Sequence, residues 1–170
     1  SNTNVSVSLA ATDNLSGVAR TEFNLDGTGW AIYVGPISIS TEGIHTLLFR
    51  SLDKADNLES ARSLTIRIDK TPPEMAARCA PPGGSPFLTG RDGSSGMASV
   101  ALTGSSAIRR GEFKRQETYT ILDKAGNRLE ASFGVKAEGH ETEFTLLSLS
   151  YNGGAQLTLP ENELKCEWAT

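Results

Sequence analysis

The run Leu52-Asp53-Lys54-Ala55-Asp56-Asn57-Leu58-Glu59 returns almost letter for letter as Leu122-Asp123-Lys124-Ala125-Gly126-Asn127-Arg128-Leu129-Glu130. A second pair, Thr12-Asp13-Asn14-Leu15-Ser16-Gly17-Val18-Ala19 and Arg91-Asp92-Gly93-Ser94-Ser95-Gly96-Met97-Ala98, stands in the same order relative to the first. Asp92 follows Asp13 by 79 residues and Asp123 follows Asp53 by 70, so the chain holds two units of domain size, with nine fewer residues between the motifs in the second. Both motifs are turn chemistry: Asp, Asn and Ser bond their own backbone, and Gly or Asn accepts positive φ. What lies between such turns is strand. The expected fold is therefore all-β, a tandem of β-sandwiches over 1–70 and 71–170, with the stiff sequence Thr71-Pro72-Pro73 at the boundary.

The alternation of apolar residues agrees. Val5, Val7 and Leu9 open the first unit, Val18 to Leu25 follows the Asp13 turn, and Asp26-Gly27-Thr28-Gly29 makes a hairpin into Trp30, Ile32 and Val34. Pro36 marks Ile37 to Ser40 as an edge strand, and Ile44 to Leu52 and Leu64 to Ile68 complete about six strands. In the second unit the pattern predicts strands at Met75 to Ala80, Pro86 to Gly90, Met97 to Leu102, Tyr119 to Leu122 and around Phe133 and Val135. Beyond 138, Phe144 to Tyr151, Leu157 to Leu159 and Leu164 to Trp168 have no counterpart in the first unit; they either extend the second sandwich or begin a third module. The chain opens directly into a strand pattern, as a fragment of a longer protein does.

A hydrophobic fraction of 38% with 17 glycines fits globular β structure rich in turns. A net charge of −4 gives no long-range attraction for nucleic acid, and no apolar run reaches the roughly 20 residues of a membrane-spanning helix, so neither nucleic-acid binding nor membrane insertion is expected. Cys79 and Cys166 are even in number and compatible with one disulfide in an oxidising compartment, which in the chain-entropy model would contribute about 4 kcal/mol; two unpaired small hydrophobes are the alternative.

The succession Asp13 to Val18, Asn24 to Pro36, Gly43 to Thr46, Arg50 to Glu59 and Ile68 to Pro72 resembles the bacterial immunoglobulin-like repeats found in tandem in secreted and cell-surface proteins. The likeness covers nearly all of the first unit and weakens in the second, where the Trp-bearing hairpin is replaced by the basic segment Arg109 to Arg115. Asp56 departs from the pattern, which has glycine there, as at Gly126; aspartate also tolerates the left-handed region. The resemblance implies a non-catalytic extracellular or cell-surface module, a spacer and adhesion surface whose partners are the other domains of its parent protein and a polysaccharide or cell-surface protein. A carbohydrate-binding accessory region of a glycoside hydrolase is the alternative.

Residue chemistry supplies few candidates for a site. His45 and His140 have no neighbouring nucleophile motif, and with the two cysteines they lack zinc-ligand spacing, so no enzyme is expected. In immunoglobulin strand order the two repeated turns meet at one end, bringing Asp13 to Asp53 and Asn57, and Asp92 to Asp123 and Asn127. Such oxygen-rich groups suit Ca²⁺; turn capping alone is the competing account, on which Asp→Asn should cost little. No other cofactor is expected. Trp30 and Tyr33 differ by an odd number of positions and must face opposite ways, so one is a candidate sugar platform.

Overall fold

The computed structural model describes residues 1–78, 87–110, 113–138, 141–152 and 163–166, which form thirteen strands and no helix. Ser1–Lys70 and Thr71–Thr170 are separate compact units.

In the first unit β1 (Val5–Val7) pairs antiparallel with β4 (Ile37–Ile39), while β3 (Ala31–Ile32), β2 (Val18–Leu25), β5 (Gly43–Asp53) and β6 (Arg62–Ile68) form a second antiparallel sheet in that order. Alternate residues of both sheets turn inward, so Ile37 and Ile39 meet Leu47, Ile66 and Ile68 in one apolar cluster flanked by Val5, Val7, Phe23 and Leu25. Two antiparallel sheets sharing one core is the layering of a β-sandwich. The Trp30 to Val34 strand is shorter than its alternation predicts. Its turn begins with positive φ at both Asp26 and Gly27, the geometry that suits a tight hairpin, but the ladder to β2 ends at the Tyr33 N–H, and Val34 lies in solvent ahead of Gly35-Pro36.

In the second unit β7 (Glu74–Arg78) pairs with β8 (Phe87–Arg91). The strands β9 (Met97–Arg110), β10 (Phe113–Asp123), β11 (Arg128–Glu138), β12 (Glu141–Tyr151) and β13 (Glu163–Cys166) form one antiparallel sheet in sequence order. Leu88 of β8 packs with Tyr119, Ala131, Phe133, Val135, Phe144 and Leu146 of the large sheet, Tyr119 meeting Phe133 edge-on at 6.0 Å. Beyond 138, β12 bonds to β11 from Leu129 to Glu138 and β13 bonds to β12, so these described strands continue the large sheet. The expected strand at Leu157 to Leu159, Cys79 and His140 lie outside the described residues, as does the side chain of Cys166, and the expected disulfide with them.

The second unit is not a full copy of the first. Between β2 and β5 the first unit spends residues 26–42 on β3 and β4, whereas β9 runs past its expected end at Leu102 to Arg110 and returns after two residues as β10. The composition Thr103-Gly104-Ser105-Ser106 reads as a turn, but the ladder to β10 holds it extended, with Thr103 Oγ1 donating to the Thr118 carbonyl at 3.2 Å. No strand answers to β3 or β4 among the described residues of this unit.

Candidate functional site

The two repeated loops are built on the same plan, and differ in which backbone N–H joins the one four residues on. After β1, Asp13 Oδ2 accepts from the N–H of Leu15 at 3.1 Å, the N–H of Gly17 at 2.7 Å and the Ser16 hydroxyl at 3.2 Å. After β8, Asp92 Oδ2 accepts from the N–H of Ser95 at 2.7 Å, the N–H of Gly96 at 2.6 Å and the Ser95 hydroxyl at 3.1 Å. Gly17 and Gly96 carry φ of 82° and 80°, a conformation that side-chain-bearing residues rarely adopt. After β5, Asp53 Oδ1 accepts from the N–H groups of Ala55 and Asn57, and Oδ2 from the Asn57 amide at 2.8 Å. After β10, Asp123 Oδ1 accepts from Gly126 and Asn127, and Oδ2 from the Asn127 amide at 2.7 Å. Asp56, at φ 66°, does the work of Gly126, at φ 97°; each donates its N–H to the aspartate carbonyl at 3.3 Å.

The loops are stitched in pairs. Lys54 N–H donates to the Gly17 carbonyl at 2.9 Å, and Lys124 N–H to that of Gly96 at 2.8 Å. Asp13 thereby comes near enough to Asp53 to feel its charge, and Asp92 and Asp123 place carboxylate oxygens within 4.8 Å of each other. Hydrogen bonds outweigh this repulsion. The Asn57 side chain and N–H, with help from Ser16 and Ala55, hold Asp53 down at about 2, and the Gly17 and Leu15 N–H groups lower Asp13. At Asp92 burial is the largest single influence and pushes upward, but the N–H groups of Gly96 and Ser95 and the Ser95 hydroxyl together bring it below the ordinary range.

The burial differs between copies. Asp53 is half-buried and Asn57 exposed, whereas Asp123 and Asn127 are 2% and 0% exposed. The cover in the second unit is the end of β12, where Asn152 exchanges bonds with Arg128 and donates to Asn127 Oδ1 at 3.4 Å. In the first unit an open cleft of about 400 Å³ lies there instead, lined in part by Asp13, Asp53, Asn57, Glu59 and Arg62.

This donor set fits turn capping. A calcium ion needs six to eight oxygen lone pairs directed at one point, whereas these carboxylates are met by N–H and O–H groups of their own loops. The recurrence of Asp, Ser, Gly and Asn is accounted for without a metal. One expectation changes, however. Both oxygens of Asp53 accept bonds as a charged carboxylate, so an asparagine weakens three bonds at once and obliges the Asn57 amide to turn over, and Asp→Asn is not a neutral exchange.

Trp30 and Tyr33 project oppositely. Tyr33 packs against the core, and Trp30, 38% exposed, lies on the outer face with the Arg50 guanidinium 3.8 Å above its ring. Arg50 reaches Glu22 at 3.0 Å, and Glu22 in turn holds Arg20 at 2.6 Å, a row of alternating charge that keeps Glu22 ionised below the usual carboxylate range, Arg20 being the larger cause. No spacing in the sequence announces this row, since its members come from β2, β5 and the turn before β3. His45 of β5 is a framework residue: Nδ1 meets Asp26 Oδ2 at 2.7 Å and Nε2 meets the Thr41 carbonyl at 3.0 Å. Two acceptors, one of them a carboxylate, favour the imidazolium and raise its pKa, with Asp26 the larger cause, so neither nitrogen is free to act as a base. Of the Arg109 to Arg115 segment, Arg115 pairs with Glu117 at 2.8 Å.

Compared with protein-family models, curated proteins and solved structures, the chain matches none.

Proposed function

We propose that the chain is a pair of immunoglobulin-type modules that serve, outside the cell, as a non-catalytic spacer and interaction surface within a larger bacterial surface or secreted protein. The observation that carries the reading is strand order. Labelled B, C, C′, E, F and G along the chain, β1 to β6 pair as B with E and as C′–C–F–G, which is the pairing of a variable-type immunoglobulin sandwich. In the second unit β7 to β11 take the places of A, B, C, F and G. The stitched loops are then B–C and F–G, which lie at the end where variable domains bind antigen. Rigid capping of those loops suits a surface that must keep its shape.

The test has two arms. Ser1–Lys70 expressed alone should melt cooperatively at the temperature it shows in the whole chain, and a segment that fails to fold alone sinks the modular reading. A glycan array probed with the whole chain should be silent. Saturable binding abolished by Trp30→Ala would replace the spacer with a carbohydrate-binding accessory region.

A further inference from the structure

We propose that the outer edge of β9 is a self-association surface, along which two copies of the chain pair β9 with β9 antiparallel. The inference does not rest on the spacer reading. Among its described residues the second unit has no strand beyond β9 in its large sheet.

In both units the strand after the first acidic loop is bulged at its second residue, Ala19 or Ala98, and then regular, so Thr21 and Phe23 correspond to Val100 and Leu102. In the first unit that edge is closed: Phe23 pairs with Ala31, and the Thr21 carbonyl accepts from Tyr33 N–H at 2.8 Å. In the second unit β9 has β10 on one side and no strand on the other among the described residues, which turns the matching N–H and C=O groups of Val100 and Leu102 outward. Their side chains stand opposite Ile121 and Tyr119, on the core face, yet are 37% and 49% exposed, and among the described residues no strand takes the place of β4 over them. An open ladder and an uncovered apolar pair thus coincide.

Sheet edges are ordinarily blunted by shortness or charge. Among the described edges, β3 has two residues, β13 has four, and β6 carries Arg62 and Arg67. The edge strand β9 has 14 residues, with no charge or proline from Met97 to Ala107. The occupant is a second copy because the strand complements itself. An antiparallel pair centred on Ala101 sets Val100 against Leu102 of the second copy, twice, and brings the Asp92 end of each strand toward the Arg109-Arg110 end of the other. A second bulge, at Thr103, limits the regular ladder to Ser99–Leu102, so the dimer is weak and dissociates on dilution.

Sedimentation equilibrium of the whole chain from about 10 μM to about 1 mM tests this, a range that brackets an interface of so few bonds. The mass should climb from monomer toward dimer, Leu102→Lys should stay monomeric with an unchanged far-UV spectrum, and in the unaltered chain the Val100 and Leu102 amides should exchange at least about tenfold more slowly at the high concentration. A monomer throughout overturns the proposal. So does a dimer in which these two amides gain no protection, a result that stands whether or not the lysine variant folds.

Discussion

Asn127 and Asn57 make the same bond in different surroundings, and that difference can be measured. Asn127→Ala removes an amide that donates at 2.7 Å to a carboxylate 2% exposed, and no water takes its place in a loop covered by Asn152. A hydrogen bond to a charged group contributes about 1.5–3 kcal/mol, and leaving a buried acceptor bare costs at least as much as the lost bond. At about 4–8 °C per kcal/mol for a domain of this size, the second unit should melt roughly 6–24 °C lower. Asn57→Ala removes a 2.8 Å bond to a half-buried carboxylate from an exposed position, where water substitutes, and should shift the first unit's transition far less. Calorimetry on the whole chain, with the two transitions assigned from the isolated first unit, gives both values. Equal shifts, or a larger one for Asn57→Ala, would falsify the claim that burial by β12 sets the worth of the second pole.

The His45 pair makes the first unit pH-sensitive. Because its folded pKa is raised, the stability it contributes is full below its unfolded value near 6.5 and is lost as pH rises through the folded value; His45→Gln should abolish that slope, and an NMR titration placing His45 at or below about 6.5 would refute the reasoning. Asp53 acts at the other end of the scale. Its folded pKa is depressed to about 2, so its contribution is present above the ordinary carboxylate range and lost as pH falls toward that value, and Asp53→Asn should flatten the acid limb of the first unit's melting curve. Calcium should leave both melting temperatures where they are; a site held at a hundred times Kd would add about 2.7 kcal/mol, so a rise of several degrees that Asp53→Ala removes would reject the capping account.

The poles were legible in the sequence because a turn at positive φ admits few residues: Gly17 and Gly96, Asp56 and Gly126 could be placed from identity and spacing alone. The strands of the first unit were legible through strict alternation. The second unit hid more. Its neutral, small residues from Thr103 to Ala107 carry no period, and only the ladder to β10 makes them strand. Nor could spacing reveal that Asn127 is buried and Asn57 exposed, since the cover comes from Asn152, 25 residues away in the chain. Trp30 and Tyr33 were assigned to opposite faces by parity, but the guanidinium over Trp30 depends on the register of β2 against β5, which sets Glu22 opposite Arg50.

The bond from Lys54 to Gly17, repeated from Lys124 to Gly96, joins the strand pairs without calling on any residue between β2 and β5 or between β9 and β10. In the first unit that interval carries β3, the core strand β4 and the Asp26 and Thr41 partners of His45, whereas the second unit keeps its pole with only residues 111 and 112 in that place. The second unit is therefore tied at one end by that bond and joined at the other by two residues. A foreign peptide spliced between Arg110 and Phe113 would be displayed on a frame whose geometry is fixed from the opposite end, so the same chain could carry very different cargo there at little cost to its folding.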